Sequence, residues 1–254
     1  MIVRRPDEAA LASPLGRVSP MTKLAISIAW LVGLAAVVDA RPPLILGGAA
    51  AAAGLVLGGI GAGRLVRSVA VLWLAALGIG LFNALFAAAN ADPGLPELVR
   101  LGPVRVTEVA AAAGAAIGLR VFAIATLGVV FGLTTDSTML VDALVQQAGL
   151  SDRFGYGALA AYQAVPRLAE DLTTLRQARR IRGLRGSWHP RLLLGLLVLA
   201  IRHGDRLALA MDARGFGSGP RSRYRVVHWG WLDAAVALGA SIVLGLAVAS
   251  PRIG

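Results

Sequence analysis

Residues Ser68–Ala91 read SVAVLWLAALGIGLFNALFAAANA, 24 consecutive positions without a formal charge. As a helix this stretch is about 36 Å long at 1.5 Å per residue, and about 20 mostly apolar residues are enough to cross the hydrocarbon core of a bilayer. Outward from it the pattern repeats. Pro42–Gly63 and Ala234–Pro251 also lack charge. So does the shorter Leu24–Val38, which needs Met21–Lys23 to reach full length, with the Lys23 ammonium snorkelling toward water. Val109–Thr135 is long enough too and carries one charge, Arg120. Together these runs predict an all-α, polytopic membrane protein of about five transmembrane helices.

Composition agrees. Of the 254 residues, 57% are hydrophobic and 15% charged, whereas soluble domains carry about 25% charged residues. The net charge of +11 is almost wholly arginine, Lys23 being the only lysine. Such basicity suits nucleic acid in a soluble protein, but here the arginines alternate with apolar runs. The expected partner is therefore the lipid bilayer and not nucleic acid. With no cysteine, a disulfide framework, a thiolate nucleophile and a cysteine metal site are excluded. Pro6, Asp7 and Glu8 do not read as the start of a signal peptide.

Arginine and lysine set the expected orientation, because they concentrate on the cytoplasmic side. With the N-terminus inside, the inner segments 1–23, 64–67 and 136–229 hold 4, 2 and 14 basic residues, against 4 in the outer ones. The chain thus divides into transmembrane helices 1–4 over residues 1–132, a cytoplasmic region over 133–229, and a last transmembrane helix over 230–254. The location is the cell membrane, multi-pass, with the N-terminus and the 133–229 region cytoplasmic. Between the third and fourth spans, ADPGLPELVRLGP is rich in proline and glycine and predicts an irregular connection.

The 133–229 region carries three helical patterns. Asp136–Ala148 is short, with Gly149 as its stop. Tyr156–Arg182 places Leu159, Tyr162, Val165, Leu168, Leu172 and Leu175 on one stripe, which Arg182 continues, while Pro166 predicts a kink. Arg191–Arg214 repeats the design through Leu193, Leu197, Ala200, Gly204, Leu207 and Met211, continued by Arg214. Both long helices end in Arg-Gly: Arg182-Gly183 and Arg214-Gly215. One such end is explained by a glycine cap with a cation at the helix dipole. Two, each with its arginine prolonging an apolar stripe, point instead to a planar cationic fork offered to a partner.

The stretch from LTTDSTMLVDAL through YQAVPRLAEDLTTLRQARRIRG to LAMDARGFG, roughly residues 133–217, resembles the T components of energy-coupling-factor transporters, a family that includes the CbiQ-type cobalt-transport proteins. In that family two Ala-Arg-Gly signatures end two long coupling helices. Ala213, Arg214 and Gly215 match the second in full, whereas the first has Ile181 in place of alanine and keeps Arg182 and Gly183. The resemblance implies a non-enzymatic coupling subunit. Two ABC ATPases dock on the signature arginines, and a substrate-binding S component sits beside the subunit in the membrane. Vitamin or metal-ion uptake follows, with ATP bound by the partner ATPases and no cofactor in this chain.

Absences fit that implication. The chain lacks G-x-x-x-x-G-K-[ST], G-x-S-x-G and H-E-x-x-H. Its spans offer few polar side chains, chiefly Asn83, Asn90 and Thr126. The alternative, a self-sufficient secondary transporter, predicts internal structural repeats and discontinuous helices around a midplane site, and the two halves of this sequence do not resemble each other. Two further features are legible. Arg120 in a span predicts burial against a neighbouring helix. The GGAAAAAGLVLGGIGAG run of the second span has the small-xxx-small spacing that permits close helix approach, or else a loosely packed helix. His189, His203 and His228 are not at metal-ligand spacing.

Overall fold

In the computed structural model, which describes residues 8–101, 104–184, 189–219, 223 and 225–249, each uncharged run becomes a helix. Two short helices, α1 (Glu8–Ala12) and α2 (Pro14–Arg17), precede α3 (Pro20–Ala36), α4 (Arg41–Val56), α5 (Ala62–Leu85), α6 (Glu108–Thr134) and α10 (Trp231–Ala249). Of these, α5, α6 and α10 are long and apolar enough to cross a membrane, and α3 and α4 are shorter apolar helices. The second run therefore yields less helix than its length promised. After Val56 the chain leaves the helix through Gly58 and Gly59, and Gly59 takes φ +59°. Glycine adopts that left-handed conformation without steric penalty and commonly closes helices.

A second correction concerns the connection between the third and fourth spans. It forms a 3-10 turn (Ala88–Ala91) and an antiparallel hairpin of β1 (Glu97–Leu101) and β2 (Val104–Thr107), with Val99 opposite Val106 and Arg100 opposite Arg105. Val-Arg-Leu and Val-Arg-Val alternate as strands do; that period was hidden by the surrounding prolines and glycines. Arg105 Nε lies 2.7 Å from Glu97 Oε1 and spans the hairpin. Asn90 ties the hairpin to the helices. Its Nδ2 donates to the carbonyl of Ala84 at 2.8 Å, and its Oδ1 accepts from the Thr107 amide at 2.9 Å. Thr107 in turn caps α6, accepting from the Ala110 amide.

The described residues divide into two units: those of 8–136 with 228–249, and those of 137–227. In the first, α6 is the central helix, packed against α3, α4 and α5. Trp30 and Leu34 of α3, Leu46 and Ala50 of α4, Ala123 of α6 and Ala247 of α10 form one buried cluster. Close approach rests on small residues. A Cβ at Gly47 or Gly54 of α4 would meet Phe122 or Val130 of α6 at 3.0 and 2.8 Å, so these two glycines of the second span are packed tightly, whereas Gly48, Gly61 and Gly63 of the same run have open space around them. The closest pair is α5 with α6, where Gly80 faces Gly114 and Gly118.

The second unit holds α7 (Ser137–Gln147), α8 (Asp152–Ile181) and α9 (Pro190–Ala213). Gly149 takes φ +71° after α7, and Asp152 opens α8 four residues before the expected start. Pro166 lies inside α8 without ending it. Leu175 of α8 packs on Gly195 of α9, and Arg153 near the start of α8 donates to the Gly217 carbonyl beyond α9 at 2.9 Å. The two helices thus run antiparallel.

Candidate docking helices

The ends of α8 and α9 share one backbone design. At the first, the Gly183 amide donates to the Arg180 carbonyl at 3.0 Å and the Leu184 amide to the Arg179 carbonyl at 3.2 Å. At the second, the Gly215 amide donates to the Asp212 carbonyl and the Phe216 amide to the Met211 carbonyl, both at 2.9 Å. Each is a Schellman closure with glycine at φ +68°. Arg182 and Arg214 occupy the cap position itself. Both are exposed, and neither guanidinium makes a hydrogen bond or ion pair within the described residues. The cap thus fixes the backbone and leaves the cation free for another molecule.

Because α8 and α9 are antiparallel, the two arginines are not brought together. Arg182 stands at the far end of α8, whereas Arg214 lies beside its start. The 30 residues of α8 make that separation on the order of 40 Å. The residue before each arginine differs in chemistry as well as in sequence. Ile181 is 87% exposed, a large apolar side chain left in the open, where Ala213 presents only a methyl group.

The expected stripes are partly covered and partly open. On α8, Leu159 is buried and Leu168, Leu172 and Leu175 are half-buried, while Tyr162 and Val165 are exposed. On α9 the covered face is offset from the expected one. Over its first half it runs through Leu192, Leu196, Leu199 and His203, leaving Leu193, Leu194, Leu197, Val198 and Ile201 exposed, whereas Ala200, Leu207 and Met211 of the expected stripe are half-buried. The reason is local: Leu192–Ile201 is apolar all round, so spacing alone chooses no face there. An open face of five large apolar side chains is characteristic of an interaction surface.

The rest of the unit is held by polar staples. The Tyr156 hydroxyl donates to Asp142 Oδ1 at 2.8 Å, tying α8 to α7. Burial pushes the Tyr156 phenol above its usual range, and the bond to Asp142 pushes it further. Gln146 accepts from the Val227 amide at 3.0 Å and donates to the Arg225 carbonyl at 2.7 Å, which fastens the returning chain to α7. His189 is the N-cap of α9, its Nδ1 accepting from the Arg191 amide. Among the described residues no group of three or more His, Cys, Asp or Glu is placed to hold a metal ion.

In the membrane unit the ionisable side chains go to helix ends. Arg120, half-buried on α6, donates through Nη2 to the carbonyl of Val37, the C-cap of α3. Two others correct or add to what the sequence suggests: the Lys23 ammonium, expected to snorkel toward water, is buried, and Asp233 carried no expectation. Lys23, 6% exposed, donates to the carbonyl of Thr134, the last residue of α6, at 2.6 Å. Asp233, 4% exposed, accepts from the Ser19 amide at the start of α3 and from the Gly230 amide before α10, both at 2.7 Å. Cations thus meet helix C-termini and the carboxylate meets N-termini, as the helix dipole favours. The one local signal was Asp233 in the first turn of its helix.

The CbiQ family model, whose description is cobalt transport protein, matches residues 12–225. Three similar relatives are each an energy-coupling factor transporter transmembrane protein EcfT. That of Heliobacterium modesticaldum is 27% identical over 248 residues, covering 91% of both chains. That of Streptococcus equi is 27% identical over 67% of this chain and 69% of its own. That of Listeria innocua is 27% identical over 59% of this chain, a match spanning 63% of the relative.

Proposed function

Because the chain belongs to the CbiQ family of cobalt transport proteins, we propose that it is the transmembrane coupling (T) subunit of an energy-coupling-factor importer, linking two ABC ATPases to a membrane substrate-binding S component. The names of its relatives place them in transporters of this kind, and the family is one of transport rather than catalysis. In this reading the N-terminus and α7–α9 are cytoplasmic, ATP is bound by the ATPases, and the S component selects the vitamin or metal ion.

The observation that carries the reading is the repeated helix end. Arg182 and Arg214 sit on two equivalent Schellman closures, exposed, at opposite ends of one antiparallel pair. Two equivalent cationic ends far apart suit two similar partners, one per arginine, each with an acidic groove for a guanidinium. The open apolar face of α9 supplies area for docking beside them. Native mass spectrometry of the detergent-extracted complex tests this. One T chain with two ATPase chains is expected, and Arg214→Glu is expected to release ATPase more readily than Arg182→Glu. Uptake driven by the lone chain in liposomes without ATP refutes the reading.

A further inference from the structure

Among the described residues the chain passes between its two units twice, at Asp136–Ser137 and at Val227–His228. The first passage is short: α6 ends at Thr134 and α7 begins at Ser137. The second runs only from His228 to Gly230 before α10 begins. Connections this short transmit a displacement of α7–α9 with little slack.

Both are tied on the membrane side to the start of α3 by a buried charge, Lys23 on α3 itself and Asp233 in the first turn of α10. The Lys23 ammonium holds the Thr134 carbonyl at 2.6 Å, and the Asp233 carboxylate holds the Gly230 amide with one oxygen and the Ser19 amide with the other. Ser19 and Lys23 are one helical turn apart, the Lys23 amide donating to the Ser19 carbonyl at 3.2 Å. One turn of α3 therefore grips the end of α6 and the beginning of α10. Buried charges are costly to keep without partners, and apolar side chains here would pack as well. What the charges add is a directional bond to each passage.

We propose that Lys23 and Asp233 are positioning residues for energy coupling: they clamp both passages to α3, so that movement of α7–α9 is delivered to the membrane helices as a rigid displacement. This rests on the coupling-subunit reading above. Removing either charge leaves the ATPase docking surface intact and lets the passages yield.

The test uses hydrogen exchange on the complex purified with its ATPases, with and without Mg-ATP, for wild type, Lys23→Met, Lys23→Arg and Asp233→Asn. In wild type, ATP is expected to alter exchange in α7–α9 and also in α3. In Lys23→Met, ATPase recovery and the α7–α9 response stay as in wild type and the α3 response is lost. Amides of residues 134–137 exchange about tenfold faster, the scale of one charge-assisted hydrogen bond. Lys23→Arg restores the response. If Lys23→Met is not recovered from membranes, Asp233→Asn carries the test at residues 228–231 and α3. An undiminished α3 response in the variants overturns the clamp alone. A wild-type chain that recovers no ATPase overturns the coupling reading and the clamp together.

Discussion

Replacing Gly114 with alanine tests the packing on which the membrane unit depends. A Cβ there would lie 2.6 Å from the Gly80 carbonyl oxygen, 2.7 Å from the Ala84 Cβ and 2.8 Å from the Ala84 amide nitrogen. Ordinary carbon contacts sit at about 3.5–4.0 Å, and two of these three neighbours are backbone, so α5 has to move back by roughly 1 Å. Overpacking of this kind costs about 1–3 kcal/mol, against a gain of at most about 1 kcal/mol in helix propensity. With the full propensity gain deducted the net loss is about 0–2 kcal/mol, or a fall in Tm of up to roughly 8 °C for a chain of this size. Two controls calibrate it. At Gly118 the same Cβ meets the Ala76 oxygen at 3.2 Å and the Gly80 Cα at 3.3 Å, and at Gly78 it meets nothing within 4 Å. Gly118→Ala is expected to be near neutral and Gly78→Ala neutral or stabilising. Thermal unfolding in detergent, followed by tryptophan fluorescence, reads the order, since Trp73 lies in this interface with its Nε1 donating to Thr126 Oγ1 at 3.2 Å. Equal melting of Gly114→Ala and Gly78→Ala would refute the reasoning.

Arg120→Met strips the Val37 carbonyl of its donor and is expected to cost about 1–3 kcal/mol, read as a lower melting temperature; no change would show that the bond is dispensable. Tyr156 should ionise later than an ordinary tyrosine, whose value is near 10. Since its folded value is raised, the contribution of the Asp142 bond is complete below pH 10 and is lost as the pH climbs through the raised value. Spectrophotometric titration checks this, and a late-ionising tyrosine persisting in Tyr156→Phe would contradict it. For orientation, a cysteine at Thr173 should resist an impermeant reagent in intact cells while one at Ala91 reacts; the background is clean because the chain has no cysteine.

What the sequence revealed was whatever is decided locally. Uncharged runs located the apolar helices because hydrocarbon tolerates little else, and Arg-Gly located two helix ends because the cap needs a left-handed glycine at that position. Features settled by distant partners stayed hidden. Lys23 pairs with a carbonyl 111 residues away and Asp233 with an amide 214 residues away, and backbone groups leave no mark in a sequence. Gly114 and Gly118 have the four-residue spacing of a close crossing, but two glycines are a weaker pattern than the glycine-rich run of α4. The stripe on α9 was misplaced where every side of the helix is apolar, so that only packing against α8 selects a face.

The short reach of α3 and α4 has a consequence for the lipids. With 17 and 16 residues these helices are about 25 Å long, against about 40 Å for the 27 residues of α6. Arg120 meets the end of α3 twelve residues after Glu108, so the turn between α3 and α4 lies about 18 Å along α6. In a bilayer, one leaflet would then face the apolar first half of α6 in one place and a turn bearing Asp39 and Arg41 in another. A bilayer meets such a step by thinning or by tilting the protein, at a fraction of a kcal/mol per ångström of hydrophobic mismatch. By the same rule, a neighbour with an equally short span would meet the smaller mismatch beside that turn.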